Sequence, residues 1–361
     1  MAILTQASKQ WASRPADERF TSLIELRDSV RGRKHQSRQL NISSRSIMAR
    51  PADGGGLEIV GPGGVPVGVT NWGFGQVAER AAAPAGYLRT LPAELAADNI
   101  NYGLQRREIE DVQLLLRRRP EGVELAAVNG PRYGRVWDSD VVDSLVNRFG
   151  DGITGDFTVP GEFGRAVTVT KENTTLYASD RDVFIFLADE KNRIEMPNRR
   201  NGKTGTLARG FFVWNSEVGA GTLGIATFLF DYACSNRIVW GAEQFKEIRI
   251  RHTASAPDKF IHEVAPALER YSESATLDIT QALERARGAR VDNALEFLQR
   301  NRFSKSQATS IMAAHEADEG RPIETLWDVS TGITAHARDV TFQDARIELE
   351  RRAGDILDMA S

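Results

Sequence analysis

The chain has 361 residues, 41% hydrophobic and 26% charged, with 46 Lys/Arg against 49 Asp/Glu. That length suits two domains or one elaborated domain, and the composition excludes collagen-like, low-complexity and wholly disordered chains. A formal charge of −3 excludes a uniformly basic nucleic-acid protein, and the single cysteine, Cys234, excludes an internal disulfide or a multi-cysteine zinc site.

The start, MAILTQASKQW, lacks a charged flank followed by a long apolar run, so no secretory signal is expected. No stretch reaches the roughly 18 apolar residues of a membrane span. The expectation is a cytoplasmic protein without a membrane partner. Residues 1–50 form a basic N-terminal arm and helix, with ten Lys/Arg and four Asp/Glu. Thr21 or Ser22 caps a helix running to about Arg31. The Gly- and Pro-rich stretch 51–68 predicts turns and a short hairpin, with strands at Leu57–Val60 and Val65–Val69. A helix opens at Thr70, and another opens at Pro92. Val123–Val128 and Tyr133–Trp137 read as strands about Asn129-Gly130, and Asp138 caps a helix ending at Gly150.

Strands are expected at 165–170, 182–188 and 209–214, followed by a helix over the apolar run 218–236. Further strands are expected at 237–240 and 247–252. Beyond Pro257 the pattern is helical almost to the end. The predicted fold class is therefore α+β: an antiparallel sheet with a β-β-β-α core backed by helices, plus an α-helical C-terminal extension. The core domain spans 51–256 and the helical region 257–361.

Several motifs fail on context. Asn201-Gly202-Lys203-Thr204 ends like a phosphate-binding loop, but Pro197 stands where the first glycine belongs and a strand follows. It reads better as a basic hairpin tip. Gly73-Phe74-Gly75 lies inside a helical stretch and not in a dinucleotide-binding turn. The five histidines show no paired-ligand spacing, and Ser216 sits outside a hydrolase elbow. No catalytic residue, resident metal or cofactor is assigned.

Residues 191–251 hold ten Lys/Arg and five Asp/Glu, and the basic tip lies among aromatic rings. Phosphates attract spaced cations, and aromatic faces hold unpaired bases without reading sequence. The candidate contacts are Arg193, Arg199, Arg200, Lys203 and Arg209 for phosphate, Phe211 and Trp214 for stacking, and Arg237, Arg249 and Arg251 as an extension of the path.

The string from Gly210 through Asn215-Ser216-Glu217-Val218-Gly219 to Cys234-Ser235-Asn236 and Trp240 resembles the hallmark of the domain-of-unknown-function 932 family. Segments 84–101 and 325–357 also resemble it. Members of that family are often labelled phage/plasmid-like proteins, so the resemblance implies carriage on mobile elements. It implies no catalytic residues. The β-β-β-α order is similar to the core of single-strand annealing proteins. The functional expectation is a non-catalytic, homo-oligomeric protein that binds single-stranded DNA, with annealing in recombination or replication as its further role. Two alternatives stand beside it: a metal-dependent enzyme acting on nucleic acid through Asp180, Asp182 and Glu217, and a regulator or anti-defence protein that binds a host protein.

Overall fold

The computed structural model describes residues 14–61, 63–160, 168–199, 202–231, 236–238, 247–273, 277–340 and 343–360. Two sheets organise them. The first contains β1 (Arg19–Phe20), β8 (Phe157–Thr158), β9 (Leu176–Ala178), β10 (Val183–Asp189), β11 (Ile194–Arg199), β12 (Lys203–Asn215), β13 (Leu223–Asp231), β14 (Asn236–Ile238) and β15 (Glu247–Ile250). Its main path runs β1-β9-β10-β12-β13-β14, with β8 on β10, β11 on β12 and β15 on β13. The second contains β2 (Ser37–Ser43), β3 (Met48–Pro51), β4 (Leu57–Val60), β5 (Pro66–Val69), β6 (Asp111–Arg119) and β7 (Gly122–Asn129), in the order β2-β6-β7-β5-β4-β3. Pairing is antiparallel except between β5 and β7.

Helices α1 (Leu23–His35), α2 (Asn71–Arg80), α3 (Ala85–Leu88), α4 (Ala93–Arg106) and α5 (Asp138–Phe149) precede the first sheet's long strands. Ser22 and Thr70 cap α1 and α2 by accepting the amides of Glu25 and Gly73. After β15 come α6 (Ala256–Lys259), a π-turn at Phe260–Val264, α7 (Ala265–Glu273), α8 (Leu277–Gly288), α9 (Ala294–Arg300), α10 (Lys305–Glu319), α11 (Leu326–Arg338) and α12 (Gln343–Asp358). Capping boxes at Ser304 and Thr325 start α10 and α11. The α+β class with antiparallel sheets and a helical C-terminal part is thus the observed one.

Three apolar cores follow from this layout. Leu187, Phe211, Val213 and Ile225 on one face of the first sheet pack against Leu26, Val142, Leu145, Phe260 and Leu268 of α1, α5 and the 260–271 helix. The C-terminal helices bring Leu298, Ile311, Trp327 and Ile333 onto Leu207, Leu229 and Ile238 at the other end of that sheet. The second sheet packs Leu114, Leu125 and Val128 against Val77, Ala97 and Ile100 of α2 and α4. On the first sheet's opposite face, Tyr177, Phe184, Phe186, Phe212, Trp214 and Phe228 form a separate aromatic cluster.

The sequence expectation fails in one decisive place. The apolar run read as a helix at 218–236 forms strand β13, paired with β12 from Leu207↔Asp231 to Trp214↔Gly224. Its residues from Leu223 to Leu229 are buried, so both faces demand apolar side chains and the alternation that marks a strand vanishes. The β-β-β-α core is therefore not formed, and the analogy to annealing proteins loses its helix. Tyr133–Trp137 is not a strand either, carrying only the isolated bridge Tyr133↔Thr253. The strand expected at 165–170 falls partly outside the described residues, and 168–170 has no regular structure.

Candidate nucleic-acid interface

The Asn215–Gly219 loop joins β12 to β13 and is the polar centre of the molecule. Asn215 Nδ2 donates to Asp138 Oδ1 at 2.7 Å and to the Val136 carbonyl at 2.9 Å. Glu217 accepts from Arg117 of β6 through Oε1 and from the Asp138 amide, at 3.1 Å, through Oε2. Arg33 of α1 donates to Asp138 Oδ2 at 2.9 Å, and Arg135 donates to the Glu217 carbonyl and to Asn129 Oδ1, the latter at 3.0 Å. The loop's Val218 carbonyl accepts from Trp72 Nε1 at 3.1 Å, Gln76 Nε2 at 3.2 Å and Asn129 Nδ2 at 3.2 Å. Gly219 adopts φ +88°, and a Cβ there would lie 2.9 Å from Asn129 Nδ2, so the loop closes against β7 only with glycine.

This network clamps the second sheet onto the first. Arg117 and Glu217 are each about 1% exposed. Desolvation draws the Arg117 and Arg135 guanidinium groups below their ordinary values, against the pull of Glu217. Burial pushes the Asp138 carboxyl up to about 8, the facing Glu217 adding to it and Arg33 opposing it. Asp138 is the first residue of α5 and not its cap; Trp137 holds that position.

Beside the clamp lies an open cleft of about 770 Å3, lined by Gly130, Arg132, Tyr133, His252, Thr253 and Ser255 among others. The Tyr133 and His252 rings stack with centroids 5.0 Å apart and planes 27° from parallel. Arg135 lies over the Tyr133 ring at 5.1 Å, and the Tyr133 hydroxyl donates to the Ser216 carbonyl at 3.0 Å. The rings are thereby fixed to the loop. His252 Nδ1 lies 3.2 Å from the Gly134 carbonyl, which makes Nδ1 the protonated nitrogen. Burial brings the imidazole down to about 4, so the ring is neutral at physiological pH. Exposed Arg132 precedes one ring and exposed Arg251 the other, and the Tyr133↔Thr253 bridge joins the two dipeptides.

The predicted contacts divide sharply. Arg249 and Arg251 are exposed. Arg193 is half-buried and donates to Glu190. Arg200 lies outside the described residues, and Lys203 and Arg237 are placed by backbone alone, opposite Arg199 and Phe230.

The other four are corrected. Arg199 is buried, held by Glu319 of α10 at 2.7 Å and stacked over Trp327. Arg209 is buried against Asp189 at 3.0 Å and donates to the Tyr271 carbonyl. Phe211 packs among Phe149, Phe157 and Tyr271. Trp214 stacks near Phe212 on the opposite face. A guanidinium already paired in a dry core cannot give itself to phosphate, and a buried ring has no face for a base.

The β11–β12 hairpin is present as expected, but its Arg199 end is docked on the C-terminal helices. Asp180, Asp182 and Glu217 do not converge: Asp182 pairs with Arg14 and Ser179, Glu217 is in the clamp, and no group of three metal-ligating side chains occurs among the described residues. Cys234 lies outside those residues. Sequence reasoning singles out neither Arg132 nor Tyr133 nor His252, because they meet only through pairing across more than a hundred residues.

The fold and clamp define an α+β protein of two joined, largely antiparallel sheets with a helical C-terminal part. The chain matches the family described as Domain of unknown function (DUF932) over residues 163–348, more than half its length. It belongs to that family. The match includes the Asn215–Gly219 loop and excludes the second sheet. No curated protein and no solved structure matches the chain. Among the described residues, no helix is long and apolar enough to cross a membrane.

Proposed function

We propose that the protein is a non-catalytic, cytoplasmic binder of single-stranded DNA belonging to a phage- or plasmid-like element, acting as a homo-oligomer. The observation that carries this reading is the open cleft that holds a stacked Tyr133–His252 pair beside exposed Arg132, with exposed Arg251 next to His252 in the chain. A neutral aromatic plane beside two cations is the chemistry that holds an unpaired base and its phosphates.

Fluorescence anisotropy with labelled single- and double-stranded oligonucleotides over a salt series tests it. Affinity should fall linearly in log salt. Replacing Arg132 and Arg251 together by Ala should lower the slope by roughly 1.4, about 0.7 for each phosphate contact to a single strand. An unchanged slope, or absence of binding at low salt, refutes the reading. Preference for the single strand should vanish in His252→Ala, since a duplex presents no unstacked base.

A further inference from the structure

We propose that β2 is the contact surface of a twofold dimer, in which a second copy of this chain pairs its own β2 antiparallel to the first. This goes beyond the DNA-binding reading and rests on backbone geometry alone. β2 ends the second sheet and pairs only with β6, in an unbroken register from Ser37↔Arg117 to Ser43↔Asp111. Just outside the strand, the Arg118 amide donates to the Gln36 carbonyl at 2.9 Å and the Ser44 amide to the Glu110 carbonyl at 2.8 Å. Bonded and non-bonded residues alternate along an antiparallel ladder. Both flanking rungs therefore assign Arg38, Leu40 and Ile42 to β6. Ser37, Gln39, Asn41 and Ser43 turn their N–H and C=O groups outward, and no described residue supplies them a partner.

Sheet edges are ordinarily protected by shortness, proline, bulges or charge. Two other outer strands are protected in these ways. β3 is four residues long, ends in Pro51 and carries the Arg50–Glu58 ion pair. β1 is two residues long. β2, at seven residues, has no proline, no bulge and one charged side chain, Arg38.

Its sequence is also self-complementary. A twofold axis at Leu40 sets Ser37 opposite Ser43 of the second copy and Gln39 opposite Asn41, and these are the outward-bonding residues the new ladder needs. On the other face Leu40 meets Leu40 and Arg38 meets Ile42, so no charge opposes a like charge. Leu40 and Ile42 are partly buried at the margin of the second sheet's core. Pairing would continue that core across the axis. A second copy is the fitting occupant because this register uses each outward group and leaves none unmatched.

The test is a charge exchange on the exposed face, read by size-exclusion chromatography with light scattering. The wild-type chain should run as a dimer. Gln39→Lys with Asn41→Lys sets lysine opposite lysine twice and should give a monomer. Gln39→Lys with Asn41→Glu sets lysine opposite glutamate and should restore the dimer, the two dissociation constants differing by at least about tenfold. As a second measurement, Leu40→Cys in a Cys234→Ser background should form a disulfide-linked dimer on mild oxidation. The Leu40 pair would be a non-bonded rung about 4.5 Å apart at Cα, within the span a disulfide accepts. A monomeric wild-type chain, identical masses for the two double variants, or failure of the Leu40→Cys cross-link overturns the proposal. DNA binding is measured separately with the Arg132, Arg251 and His252 variants, so it can stand when the dimer fails; a monomeric wild-type chain would remove only the oligomeric part of the proposed function.

Discussion

Glu217→Gln probes the clamp most directly. The substitution keeps the shape but removes the charge facing Arg117, and both side chains are about 1% exposed. Arg33 and Arg135 then keep only Asp138 as an acidic neighbour. Removing one partner of a buried pair leaves the other charge uncompensated and costs about 3–5 kcal/mol. The amide adds to this, because its NH2 must face either the Arg117 guanidinium or the Asp138 amide, both donors. A domain's whole stability is of order 5–15 kcal/mol, so the variant should lose a large share of it. Urea unfolding monitored by tryptophan fluorescence reads the change as a lowered midpoint. The double variant Arg117→Met with Glu217→Leu should recover much of the loss, since replacing the whole pair by apolar groups avoids the stranded charge. A loss under about 1 kcal/mol in Glu217→Gln, the range of solvent-exposed pairs, would refute the clamp.

Three further outcomes follow from the same geometry. The Asp138 carboxyl sits at about 8, above its ordinary 3.8, so the folded chain holds a proton that the unfolded chain has released, and stability falls as pH rises between those values. His252, brought down from 6.5 to about 4, acts oppositely, but only below its unfolded value. Between pH 6.5 and 8 Asp138 therefore acts without that offset. Unfolding free energies from urea titrations should drop there by roughly 1–2 kcal/mol, and Asp138→Asn should flatten the slope. Gly224→Ala puts a Cβ 2.1 Å from Trp214 Cζ2 and 2.7 Å from the Ile248 carbonyl, and a thermal melt should show a loss of about 1–3 kcal/mol. Arg199→Ala removes the buried guanidinium paired with Glu319 and should cost about 3–5 kcal/mol, while the folded protein's salt slope for DNA stays unchanged in anisotropy.

Much of the fold could be read in the residues. The caps Ser22 and Thr70, the proline opening α4 and the turn-rich stretch around β4 and β5 each rest on a local rule, and each appears where that rule puts it. β13 could not be read in this way. Leu223 to Phe230 is almost wholly apolar, so period 2 is invisible, and its leucines and alanine satisfy a helix as well. The discriminating signal is the pair of glycines at 210 and 224, each required by a close neighbour across the sheet and identifiable only once that neighbour is known. β6 is hidden by the opposite effect. Its end, Arg117-Arg118-Arg119, looks like a solvated run, yet the first of the three is buried.

The misreading of the basic residues has one physical root. A local excess of Lys/Arg is evidence of an external anion only if the matching carboxylates lie elsewhere, and sequence separation conceals where they lie. Arg199 finds Glu319 after 120 residues, Arg117 finds Glu217 after 100, and Arg33 finds Asp138 after 105. Each pair ties one element to a distant one, so arginine here works as an internal fastener: its flat fork reaches across a dry junction and satisfies several acceptors at once. The residues left for an outside anion are those whose strand position turns them away from any such carboxylate. Exposed Arg251 stands just beyond β15, where Ile250 is buried in the helix-covered core. The density of cations in sequence is therefore a poor guide to where an outside anion would sit.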